Sequence, residues 1–508
     1  MDRIAQHMWR EMRGSWFGDW GRRLSAPLGQ RRRQTSSPEH HSKYQVVGQM
    51  GHGGVGFGVG VCIAINLVMG SGFLALPKAY VSAGLILGTA VTFVCMALLG
   101  ITAGYESEVM CRAQAWANAN VLPLVHSKGA PDSEMRLSTH AFQVSEMCEM
   151  FGGRKLQRAY NVLLFLYMFC ALWGYATVFG EALATYAPLP FLRYTGAYRL
   201  YVMIFGAVVV PLSCMGIKEQ ALFQIVLTIL RFAALLAMVG SIAVSLYTGG
   251  DPFGPESDQC VGTVELIHWQ GIFRAVPAAI FALSLASTVP TIVSGLEDKH
   301  SVGNVTWTAQ ASAAVAYTCI SLSTVYYFGK SVNGSCNINW VLYHPGANGL
   351  WTPLGAFLGR AVAYFVVFFP ALDVTSVYPL NVMVVANNVM ATVYSDHVDS
   401  ASTDPVVVTT FRIACAMPPL LCALFVRDFA AIVGFGGNLA IMIAFVIPAY
   451  LNLLSQKLCE ERFGASRTPF TGDVVSSTPA LHACMVLGAL LFVGLVGSDI
   501  ASFLGGSV

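Results

Sequence analysis

The chain has 508 residues, 55% of them hydrophobic and only 11% charged, with a mean hydropathy of +0.60 and a formal net charge of +2. Soluble domains carry roughly 25% charged residues, so the apolar area this chain would expose excludes water as its main solvent, and the bilayer takes that place. A charge so near zero also excludes a nucleic-acid partner, which needs a basic field over the folded surface.

The chain opens on Arg10, Arg13, Arg22, Arg23 and the run Arg31, Arg32, Arg33, interleaved with Trp9, Trp16, Phe17 and Trp20, and no short apolar core of a signal peptide precedes them. The Ser, Pro and Arg content of 1–55 reads as a disordered cytoplasmic tail; an amphipathic segment lying on an anionic leaflet is the alternative. Beyond it, runs of the length that crosses the hydrocarbon core fall at 56–84, 85–111, 159–187, 197–217, 220–247, 270–296, 307–329, 361–391, 407–426, 429–454 and 480–503. They predict an all-α integral membrane protein of about eleven transmembrane helices over 56–503, with 504–508 as a short C-terminal end.

Lys and Arg in the connections set the orientation, because basic loops are retained in the cytoplasm. With the tail inside, Arg112, Lys128, Arg136, Arg154, Lys155, Arg158, Lys218, Lys299, Lys457, Arg462 and Arg467 share its side, against Arg193, Arg199, Lys330 and Arg427 opposite. An odd number of spans then puts the C-terminus outside. The sequon Asn333-Gly334-Ser335 falls on the external side as a glycosylation candidate, whereas Asn304-Val305-Thr306 is cytoplasmic and unused. Cys260 and Cys336 are both external and form the one candidate disulfide. The other cysteines of the thirteen, without CxxC spacing, read as apolar packing residues rather than a zinc site.

The first span reads Asn66-Leu67-Val68-Met69-Gly70-Ser71-Gly72-Phe73-Leu74-Ala75-Leu76-Pro77-Lys78. Two glycines around a serine, followed by a proline, weaken a helix in mid-membrane, and the freed peptide groups are tolerated there only where they face protein or a watery cavity. The sixth span has a matching interruption, Phe281-Ala282-Leu283-Ser284-Leu285-Ala286-Ser287-Thr288-Val289-Pro290. Each interrupted span opens a set of five helices and the last helix is an addition, which is the spacing of an inverted repeat. Either interruption alone is as readily a packing kink; the two in corresponding positions point to a binding site.

These residues resemble the amino acid/auxin permease family, within the superfamily that shares the leucine-transporter fold. The resemblance covers about Gly60 to Phe503: Asn66 to Pro77 is similar to the family's first-span pattern, Phe281 to Ser284 with Val289-Pro290 to its sixth span, and Arg412, Gly434 to Gly437, Ile447-Pro448 and Tyr450 to its ninth and tenth. Leu285 and Ala286 stand where members often carry a Cys-His pair, so a mechanism needing that histidine is in doubt. The resemblance implies a leucine-transporter-like 5+5 inverted repeat plus one C-terminal helix, carrying amino acids by alternating access without a cofactor or catalytic residues. Gly70, Ser71 and Gly72 would receive the substrate carboxylate, and Ser284 and Ser287 its ammonium group. In the family's sodium-coupled branch the positions of Asn66 and Thr375 help hold the cation, with Ser376 a further oxygen, so sodium is the expected coupling ion.

Asp373 complicates that expectation. An acid inside the apolar run from Phe365 to Val377 serves as a cation ligand or proton carrier, or else pairs with the base in the fifth span, Arg231. Lys78 after Pro77 either snorkels or pairs, and Glu181 and Asp499, nearer their helix ends, read as interfacial. A nutrient sensor built on the same bundle is the alternative function, against which stands a tail with no recognisable domain. An enzyme is disfavoured because the chain has no His-rich metal set, no Gly-x-Ser-x-Gly elbow and no phosphate loop.

Overall fold

The computed structural model describes residues 55–121, 135–137, 142–214, 221–248, 264–285, 287–343, 353–394 and 404–504. The tail before residue 55, Cys260, Ala286 and the end after residue 504 lie outside these described residues.

Each apolar run folds as a helix or as a helix pair, because in lipid a helix satisfies its own peptide groups. The first run gives α1 (Phe57–Val68) and, after a tight turn of helix over Ser71–Ala75, α2 (Leu76–Ala83). Then come α3 (Leu85–Val121), α4 (Val144–Tyr186), α5 (Tyr194–Ser213) and α6 (Ala221–Tyr247). The sixth run splits into α7 (Ile272–Leu283) and α8 (Val289–Gly295), followed by α9 (Val302–Phe328), α10 (Pro353–Tyr394) and α11 (Pro405–Ala423). The tenth is α12 (Phe429–Ile441), a π turn over Met442–Val446 and α13 (Ile447–Phe463), and α14 (Thr478–Leu504) closes the chain. Among the described residues the only strand-like pairing is the single parallel bridge from Val55 to Leu296.

Among the described residues, eight helices are by themselves long and apolar enough to cross a membrane, and the first bent pair makes a ninth. The two remaining runs fail that test for different reasons. The halves α7 and α8 are each too short to span, and α9 carries Thr306, Gln310, Thr318, Ser321 and Thr324, all buried, so these five face protein and not lipid. The helix α4 begins well before its apolar run. Gln143 and Glu146 form a capping box at its start, and Gly153, at φ +74°, turns the chain there, a backbone conformation that glycine takes without steric cost.

The broken spans sit in the centre of the bundle. The turn over 71–75 and α2 pack on α7, α9 packs on α1 and α3, and α12 lies against both α4 and α7. Glycine makes the last contact feasible: a Cβ on Gly437 would stand 2.1 Å from the Pro277 carbonyl oxygen.

Towards the predicted cytoplasmic side, α3 and α13 are joined by a buried polar network. Arg112, fully buried, donates through Nη1 to Asn452 Oδ1 (2.5 Å) and Ser455 Oγ (3.1 Å), through Nε to the Ser466 carbonyl (2.8 Å), and through Nη2 to Glu108 Oε2 (2.8 Å). Glu108 also accepts from the Ser476 and Thr471 hydroxyls. Every charge in the network has opposite charge or hydrogen-bonding partners, the condition under which a buried ion pair is tolerated.

Candidate functional site

In the first span α1 stops at Val68. Met69 N–H still bonds back to Ile65 O (2.8 Å), but Gly70 is extended, no side chain caps the turn that follows, and the chain resumes with a bend of 53°. The N–H groups opening that turn are therefore without the helical acceptors a continuous span would give them. In the sixth span α7 stops at Leu283 and Ser284 is extended at ψ 123°, while Thr288 folds its hydroxyl and its N–H back onto the Leu285 carbonyl (2.8 Å each) before Val289-Pro290 restarts the helix.

The two breaks meet. A Cβ on Gly72 would lie 2.9 Å from Phe281 Cδ1 and 3.0 Å from Ala282 Cα, so only glycine allows the backbones this approach. Ser71 and Gly72 are buried, whereas Gly70, Ser284 and Ser287 are partly accessible. Aromatic residues close the surround. The Tyr167 ring meets Phe281 edge-on (5.5 Å) and its hydroxyl lies beside Ser284; Tyr175 accepts from Asn381 Nδ2 (3.2 Å) and lies 3.7 Å from where a Cβ on Gly70 would be. Tyr317 stacks on Phe73 (5.7 Å) and donates to the carbonyl of Val68 (3.4 Å), the last residue of α1.

Behind the first break lies a buried cation, the guanidinium of Arg231. It donates to Asp373 Oδ1 (2.6 Å) and to both oxygens of Asn66, the side-chain Oδ1 at 2.5 Å and the carbonyl at 3.2 Å. Of the two roles open to Asp373, the ion pair with Arg231 is formed. The same guanidinium ties together the first, fifth and eighth spans. Thr375 turns its hydroxyl to the Ala371 carbonyl (2.7 Å) and Ser376 to the Asp373 carbonyl (2.8 Å), both on their own helix.

Sequence reasoning thus names the backbone of both breaks, Asn66, Asp373 and Arg231, and the fold gathers them around one centre. It misses Tyr167, Tyr175, Tyr317 and Asn381. The pair Tyr167 and Tyr175, eight positions apart on one side of α4, is a signal that could have found two of them.

The other named residues lie elsewhere. Lys78 is half-buried on α2. Asp499, exposed near the end of α14, accepts from Asn438 Nδ2 (2.7 Å). Glu181 lines a cleft of about 370 Å³ with Tyr194, Arg427, Asp428 and Asn333, away from the breaks. Asn333 is exposed there, while its sequon partner Ser335 is buried and donates to Asn337 Oδ1 (2.6 Å). Cys336 is a buried free thiol, and Cys260 lies outside the described residues. Among the described residues, no three or more His, Cys, Asp and Glu side chains come together as a metal-holding group.

No protein-family model matches the chain. Among curated proteins, it is 24% identical over 355 residues to the Transmembrane protein 104 homolog of Caenorhabditis elegans, covering 65% of this chain and 67% of that one. It is 22% identical over 483 residues to human Transmembrane protein 104, covering 81% of this chain and 91% of that one. Among solved structures, the Eremococcus coleocola manganese transporter in complex with an aromatic bis-isothiourea substituted compound aligns with a TM-score of 0.52 at 14% identity, over 89% of this chain and 88% of that one. A mutant of the same transporter aligns at a TM-score of 0.51 and 13% identity.

These findings correct the resemblance to the amino acid/auxin permease family. The relatives are named for Transmembrane protein 104 and the structural neighbour is a manganese transporter, so the broken-helix motifs report the shared fold and not membership of that family. The protein is a multi-pass, all-helical membrane protein with a leucine-transporter-like inverted-repeat fold.

Proposed function

We propose that the protein is a secondary transporter of small zwitterionic solutes of the amino acid class, working by alternating access and driven by protons. The observation that carries this reading is the meeting of the two broken spans at Gly72 and Ala282, which brings unpaired backbone groups of opposite polarity to one place. The N–H groups of Ser71 and Gly72, at the positive end of the turn that leads into α2, suit a carboxylate. Carbonyls ending α7, with the hydroxyls of Ser284 and Ser287, suit an ammonium group. A divalent metal as cargo is less well matched, because it asks for several hard or anionic ligands and the one carboxylate here, Asp373, is held by Arg231.

The coupling ion follows from the same guanidinium. Sodium held by Asn66 and Thr375 would share its position with Arg231, whose Nη1 already fills Asn66 Oδ1. Two unit positive charges about 4 Å apart repel by about 4 kcal/mol at an effective dielectric near 20. A proton on Asp373 instead weakens its pairing with Arg231 and loosens the tie to Asn66, which lies two residues before the end of α1. In this reading the chain begins in the cytoplasm.

Purified protein in proteoliposomes tests the proposal by uptake of a panel of amino acids, with sodium or choline outside and with or without an inward proton gradient. Accumulation of at least one amino acid that follows the proton gradient and persists in choline supports it. Uptake of manganese with no amino acid transported overturns the substrate, and an absolute need for sodium overturns the coupling.

A further inference from the structure

Two residues before Glu108, whose carboxylate is fully engaged, α3 carries a second acid that the fold treats in the opposite way. Glu106 is 2% exposed, and neither Oε1 nor Oε2 has a hydrogen-bond partner. From α4 it faces Cys148 and Tyr160, brought to it from either side of the turn at Gly153. The charged groups nearest along the chain, Glu108 and Arg112, are turned to each other and to α13. From α2, with Lys78, and from α7, α8, α9, α13 and the turn over Met442–Val446, which also pack on α3, no charged group among the described residues acts on it.

An ionised carboxylate is not retained at such a place without a base or several donors, because burial removes its hydration and nothing replaces it. The neutral acid leaves a far smaller debt of solvation, with one donor and one carbonyl unmatched. The network at Glu108 makes the contrast informative: this region of α3 supplies guanidinium and hydroxyl partners where the fold uses an ionised acid, and supplies none to Glu106. A methionine or leucine would fill the same space with no unmatched polar atom, so the carboxyl group is explained by its proton and not by packing.

We propose that Glu106 is a second proton-binding site of the transporter, lying between α3 and α4 on the cytoplasmic half and separate from the Asp373–Arg231 pair. The proton is bound in the conformation described here and leaves when α3 and α4 part and water reaches the acid. This role in coupling rests on the proton-driven reading given above; occupancy of the site by a proton does not.

Infrared spectroscopy of the full chain in liposomes at neutral pH tests occupancy. The wild type should show the carbonyl stretch of a protonated carboxylic acid that is lost in E106Q and equally in E106M, which fills the space without an exchangeable proton. An acid band identical in wild type and in whichever variant folds overturns the site. The second readout is the pH profile of uptake. In a wild type whose uptake follows the proton gradient, E106Q should lose gradient-driven accumulation and keep one-for-one exchange of substrate. An E106Q profile superimposable on wild type overturns the role. Failure of the proton-driven reading itself is seen separately, as wild-type uptake indifferent to pH, and does not touch the infrared result.

Discussion

The Arg231–Asp373 pair offers the sharpest energetic test of the site. Replacing Arg231 with Met leaves Asp373, 6% exposed, without the guanidinium 2.6 Å away, and strips Asn66 Oδ1 of its donor. Replacing Asp373 with Leu strands a guanidinium that is 4% exposed and whose Nε already lacks a partner. Removing one member of a buried pair costs about 3–5 kcal/mol, so the two single variants should sum to about 6–10 kcal/mol. The double variant Arg231→Met with Asp373→Leu leaves no uncompensated charge, and its remaining cost is the unmatched Asn66 oxygen, about 1–3 kcal/mol. The interaction energy is the double minus the sum, and it should exceed about 3 kcal/mol in favour of the double, far outside the roughly 0.5 kcal/mol scatter of independent sites. Unfolding of the purified chain in mixed micelles by titration with dodecyl sulfate, followed by tryptophan fluorescence, gives the three values. Additivity within about 0.5 kcal/mol would refute the claim that these residues act as one buried pair.

Three further outcomes follow from the packing. Gly72→Ala should destabilise by about 1–3 kcal/mol and depress uptake, since its methyl is forced against Phe281 and Ala282; wild-type unfolding and transport in that variant would count against the meeting of the two breaks. Gly437→Ala should be markedly less stable than Gly434→Ala in the same assay, because the first methyl meets the Pro277 carbonyl and the second meets nothing within 4 Å; equal midpoints would remove the proposed contact of α12 with α7. Tags at the two termini should be accessible from opposite sides of sealed vesicles, and equal protection from protease would contradict an odd number of spans.

Much of the fold is legible because the bilayer imposes its length on each apolar run and because Gly70-Ser71-Gly72 and Ser284 to Pro290 are intrinsically poor at continuing a helix. Most limits agree with the helices found to within a few residues; the exceptions are ends where a helix runs on past its apolar stretch, to Val121 in α3, from Val144 in α4, from Pro353 in α10 and to Phe463 in α13. The substrate class is not legible from those motifs. Asn66 with two glycines and Phe281 with Ser284 encode where a helix breaks, a property of the whole fold, whereas the side chains that surround the breaks, Tyr167, Tyr175, Tyr317 and Asn381, arrive from α4, α9 and α10, far away in sequence. The stretch from Glu106 to Arg112 hides for a related reason. In sequence it reads as the charged end of a helix meeting water, and only the arrival of Asn452, Ser455 and Ser466 shows that Arg112 is wholly buried. Asp373 and Arg231 could be named as partners in advance since an apolar segment holds few charges, but the third party, Asn66, could not.

The π turn at Met442–Val446 has a mechanical consequence. Above it, α12 is keyed to the sixth span through Gly437 and Pro277; below it, α13 is riveted to α3 through Arg112, Asn452 and Ser455. A helix fixed to different bodies at its two ends transmits their relative rotation as bending, and bending concentrates where the ladder of hydrogen bonds is loosest, which is the wider-wound turn. The tenth span is therefore built as two rods on a swivel, so that one half can follow the broken sixth span while the other stays with α3.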